Sequence, residues 1–139
     1  MAYATLQDMK DRYDESELIQ LTDRVNVTVI DVTVLNAKFA DADALIDGYL
    51  QGKYDLPILD TPQNIVRIAC ALTRYFLYRD DRPDAVEQDY KDAIKYLSDV
   101  SRGIIQLGLT NSNTEILQTA APTVDAEERI FSRTQLKGY

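Results

Sequence analysis

One thiol and a scatter of carboxylates are the side chains here with the plainest claim to chemistry, because the 139 residues include no histidine. That absence removes Ser-His-Asp and Cys-His nucleophilic catalysis, and with them the commonest zinc ligand. The thiol, Cys70, lies within IVRIACALTRYF. Burial among such neighbours raises a thiol pKa and leaves it inert, so Cys70 is expected to be structural. Asp41, Asp43 and Asp47, and again Asp80, Asp81 and Asp84, are spaced closely enough for acid/base work. Nothing legible around them would raise a carboxyl pKa, and they read as solvated faces or caps. The run GYLQGK at 48–53 approaches a phosphate-binding loop, but three residues separate its glycines where the motif needs four. It also closes a helix, and a helix C-terminus presents carbonyls, which repel phosphate. No catalytic, cofactor-binding or metal-ligating residue is assigned, and no enzymatic activity is expected.

The elements that carry these residues read as an all-α helical bundle of about four helices. The first lies near Thr5–Tyr13, where Thr5 and Asp8 have capping-box spacing, and continues into a short turn through Glu17–Leu21. The second follows Asp31 as N-cap and runs to about Gln51, with Leu35, Phe39, Ala42, Ile46 and Tyr49 on its core stripe. The third starts at Thr61-Pro62, a cap residue followed by proline at the first helical position, and reaches about Arg79. Its stripe of Ile65, Ile68, Ala69, Leu72 and Phe76 is accompanied by a second apolar side containing Val66, Cys70, Thr73 and Leu77. A helix apolar around so much of its circumference is either central in a bundle or packed on a neighbouring subunit. The fourth opens near Pro83 and ends at Gly103, a C′ glycine, with Val86, Tyr90, Ile94 and Leu97 buried.

Between the first two helices, Val25, Val27 and Val29 alternate with other residues, so an extended loop or small hairpin is expected near 22–31. After Leu109 the periodicity stops at TNSNTE, which divides the chain into a helical domain at 1–109 and a flexible C-terminal arm at 110–139.

The charge balance narrows the partners. Fifteen lysines and arginines stand against 23 acids, a net charge of −8. Such a surface repels a phosphate backbone, which argues against nucleic-acid binding. No apolar run approaches the ~20 residues of a bilayer span, and the acidic opening residues do not resemble a secretory signal. A lone cysteine suits a reducing cytoplasm.

Three stretches together resemble the small neck proteins of Mu-like phages and prophages, which act as head–tail connectors. They are YATLQDMKDRYDESELIQLTDR at 3–24, VLNAKFADADALIDGYLQGKYDLPI at 34–58 and RIFSRTQLKGY at 129–139. IACALTRYFLYRD in the third helix and LSDVSRG at the end of the fourth fit the same family. The resemblance implies a structural virion protein in the neck, made in the host cytoplasm. Copies would form a ring, commonly twelvefold, beneath the portal protein; stopper or tail proteins would dock below, and DNA would pass through unbound. Many relatives resemble a shortened calcium loop after Leu-Thr-Asp-Arg, with Asp-Gly-Asp-Gly where this chain has Val25, Asn26, Val27 and Thr28. A hard cation needs about six oxygen ligands, so no metal is expected here, and no other cofactor. Two other roles fit the composition: a different neck component such as a stopper or tail terminator, and a small acidic cytoplasmic adaptor or inhibitor.

Two sets of contact residues follow. The run at 129–139 has three basic residues and no acid, so removing it from the net −8 leaves −11 on residues 1–128. Arg129, Phe131, Arg133, Leu136 and Tyr139 combine cations with large apolar groups, as interface anchors do, and are expected to dock on a portal or an adjacent subunit. Val66, Thr73 and Leu77, on the second side of the third helix, are expected at a subunit interface.

Overall fold

A computed structural model describes residues 2–109 and folds them into five helices. Helix α1, Leu6–Arg12, opens with the expected capping box: the Asp8 amide donates to Thr5 Oγ1 at 3.3 Å and the Thr5 amide to Asp8 Oδ2 at 2.8 Å. The short turn expected at 17–21 is instead a full helix, α2, Glu15–Thr22, which makes the helices five rather than four. Glu15 and Glu17 favour its first turn electrostatically, and Leu18 fastens it to the core.

Helix α3, Val32–Leu50, begins where the Asp31 carboxylate accepts from the amides of Thr33 and Val34 at 2.9 and 3.3 Å. It buries Leu35, Phe39, Ala42, Ile46 and Leu50, while Tyr49 is only half-buried. Helix α4, Gln63–Leu77, has Pro62 as its N-cap rather than at the first helical position, and no side chain caps it. Pro62 is extended, and its carbonyl accepts directly from the amides of Ile65 and Val66, so Thr61 has no capping part. Helix α5, Asp84–Ser101, stops as expected at Gly103, whose φ is +78°. The Ile104 amide bonds to the Asp99 carbonyl and the Gly103 amide to that of Val100, a complete Schellman turn.

Helix α4 is the centre, packed against α3, α5 and α1, with α5 also on α3 and α2 on α3. The loops leave the bundle at two ends. At one, Arg24 donates to the Leu77 carbonyl at 2.9 Å, joining loop 23–31 to the end of α4. At the other, the buried Tyr54 hydroxyl accepts from the Leu107 amide at 3.2 Å, joining the α3–α4 connection to the segment after α5. The 19 residues of α3 separate the ends by ~28 Å.

Candidate interaction surfaces

The alternating valines form no strand, and the reason is local. The Asp23 carboxylate accepts from the amides of Asn26 and Thr28 at 3.0 and 3.2 Å and from the Thr28 hydroxyl at 3.3 Å. These amides would be needed for a hairpin ladder, and the aspartate takes both. The same bonds, Asn26 first and then Thr28, hold the Asp23 carboxyl below the usual carboxylate range. Farther along, the Asp31 amide donates to Thr22 Oγ1 at 3.0 Å, and that hydroxyl donates to the Leu18 carbonyl.

Tied in this way, the loop turns its valines outward: Val25 is 90% exposed, Val29 66% and Val27 49%, and Val32 at the start of α3 is 47% exposed beside them. Val27 also has φ +51°, a left-handed conformation that is costly for a β-branched residue. At the other end Leu59 and Ile104 are exposed. All the large hydrophobic residues exposed among the described residues therefore lie at the bundle ends.

Behind the valine loop the helices are clamped together. Arg74 of α4 makes a two-pronged bond to Glu17 of α2, with Nε at 2.8 Å and Nη2 at 3.1 Å, and the Tyr78 hydroxyl donates to the same carboxylate at 2.7 Å. The guanidinium stands 4.5 Å above the Tyr13 ring, and burial pushes the Tyr13 hydroxyl up to about 12. Tyr75 stacks on Tyr90 of α5 at 3.8 Å, with Arg82 4.2 Å over the Tyr75 ring. This network fixes the backbone from which the valine loop projects.

On the flank, the residues before α1 lie across α3. The Tyr3 amide donates to Asp43 at 3.1 Å and its hydroxyl to Asp47. Burial raises the Asp43 carboxyl, an effect that the Tyr3 amide partly opposes. Along the adjoining outer face of α3, Asn36, Ala40, Ala44 and Gly48 are exposed and small.

The residues singled out in the sequence fall as follows. Cys70 is fully buried, and burial pushes its thiol up to about 11, too high for a thiolate at neutral pH. Val66, Thr73 and Leu77 are not surface residues: they are 7%, 0% and 3% exposed within the single chain, and the Thr73 hydroxyl donates to the Ala69 carbonyl. Their expected place at a subunit interface is corrected accordingly: α3, α5 and α1 surround α4, and its second apolar side belongs to the subunit's own core. Arg129, Phe131, Arg133, Leu136 and Tyr139 lie outside the described residues, as does the arm at 110–139. Of the extended loop or small hairpin expected near 22–31, the structure forms the loop; the outward exposure of its valines is what the alternation in sequence did not indicate.

Among the described residues the protein is all-helical, and its exposed large hydrophobics gather at the ends of the bundle. The chain belongs to the Bacteriophage Mu Gp36 family, whose model matches residues 3–126. It is similar to the Mu-like prophage FluMu protein gp36 of Haemophilus influenzae, with 29% identity over 137 residues, covering 99% of this chain and 97% of that one. Gene product J of Escherichia phage Mu is 30% identical over 146 residues, covering 100% of this chain and 99% of its own. The chain is thus a Mu-like phage protein, as its sequence led us to expect.

Proposed function

We propose that this protein is a head–tail connector: copies form a ring, twelvefold as in connectors generally, between the portal of a DNA-filled head and the stopper or tail proteins. The observation that carries this reading is the valine loop, a rigidly tied set of apolar side chains facing water at one end of the bundle. Such a patch on a stable body is favourable only when a partner covers it. The net charge of −8 supports a second part of the role, because acidic walls repel passing DNA and keep it from adhering.

The test is to disrupt the gene in the phage that encodes the chain. DNA-filled heads and complete tails should accumulate unjoined, and added wild-type protein should sediment with heads. Joined particles in its absence would overturn the connector role. Sedimentation with tails alone would make it a tail terminator, and sedimentation with neither would favour a cytoplasmic adaptor.

A further inference from the structure

We propose that the groove between the opening residues 2–6 and α3 is the seat of residues 129–139 of a neighbouring copy of this chain. The groove is open to solvent and offers about 630 Å³; Ala4, Phe39, Ala40 and Ala44 give it an apolar lining, and Asp43 and Asp47 stand one helical turn apart along it. The hydrogen bonds of these two carboxylates go to Tyr3; the amino-terminal charge also acts on Asp43, and no lysine or arginine among the described residues forms an ion pair with either. A groove that is apolar in its lining and anionic along one wall fits a segment that is apolar and cationic. Residues 129–139 are such a segment: three cations, no acid, and Ile130, Phe131 and Leu136 among them. Arg129 and Arg133 flank Ile130 and Phe131, so the segment carries its cations beside its apolar side chains.

That the donor is a neighbour rests on the ring proposed above. Copies carrying −11 on residues 1–128 repel one another, and a +3 segment laid between bodies relieves the repulsion where they meet. Reach is sufficient, because the 19 residues from 110 to 128 span up to ~60 Å, more than the ~28 Å length of α3.

The experiment uses full-length chains carrying one introduced cysteine each, Ala40→Cys in the groove of one and Ser132→Cys in an affinity-tagged other, mixed and mildly oxidised. Native Cys70 is buried and does not compete. A disulfide-linked heterodimer is expected on a non-reducing gel. Arg129→Glu with Arg133→Glu should reduce its yield about tenfold, the equivalent of two modest ion pairs. Ala44→Lys, which leaves the Tyr3 bonds untouched, should reduce it in the same direction.

Absence of the heterodimer, or a yield indifferent to both changes, would overturn the proposal. So would closure of a chain carrying both cysteines onto itself while mixed chains stay separate. Sedimentation with heads is scored on the same proteins. A chain that joins heads but gives no cross-link removes the groove assignment and leaves the connector role standing.

Discussion

Helix α4 and the loop at 23–31 are both rich in apolar and β-branched residues, yet α4 is the most enclosed of the five helices and the loop turns its valines to water. In α4, nine of fifteen residues are buried, because neighbouring helices cover more than one side of it. In the loop, an aspartate has taken the amides that would have joined a ladder, and the valines have no interior left to enter. The difference teaches that apolar character decides burial only together with a backbone that can be enclosed. Where the backbone is committed elsewhere, the same side chains become surface.

The sharpest way to break this comparison is within α4. Leu72→Ala should cost about 2–5 kcal/mol of folding free energy, since a fully buried leucine leaves a cavity. Chemical denaturation measures it, and an unchanged midpoint would mean that α4 is not the centre. In the loop, Val25→Ser with Val29→Ser should leave stability within about 0.5 kcal/mol. The same pair should weaken attachment to heads about a hundredfold, because burying each valine in a partner is worth ~1.5 kcal/mol. A variant that attaches normally would leave the loop without its assigned use.

The clamp between the two regions gives an intermediate effect. Arg74→Ala removes a two-pronged bond to Glu17 in a mostly buried setting and should cost about 1–3 kcal/mol by thermal denaturation. Smaller still, Val27→Asn should stabilise by about 0.5–1 kcal/mol, because asparagine tolerates the left-handed conformation better than valine. The least effect is that of acid on the loop. The folded Asp23 carboxyl sits below its usual value of 3.8, so its stabilising contribution is complete above that pH and fades as the pH falls through the folded value. Amide exchange at Asn26 and Thr28 should therefore quicken only in strong acid, while α4 stays protected.

Much of the fold was legible because its signals are local. Thr5 with Asp8, Asp31, and Gly103 each mark a helix end within a few residues of themselves, and the structure uses all three. Pro62 was displaced by one position, since its fixed φ serves an N-cap as readily as a first turn. Helix α2 was obscured by its shortness: eight residues give scarcely two turns in which a period can show. The non-local facts were out of reach. The second apolar side of α4 fits a neighbouring subunit or the chain's own helices equally well until their packing is known, and Val66, Thr73 and Leu77 were assigned to the wrong one. The valine alternation was real, but its outcome depended on Asp23 capturing two amides, a choice that periodicity does not register.

The junction after α5 has a mechanical consequence. Leu107 is lodged in the core with its amide on Tyr54, and the Schellman turn at Gly103 lies between it and the helix. A pull applied beyond residue 109 first meets that lodged leucine and only then the turn. It works as strain relief does on a cable: traction from a moving partner would be shed at Leu107 and Tyr54, and α5 would keep its last turn.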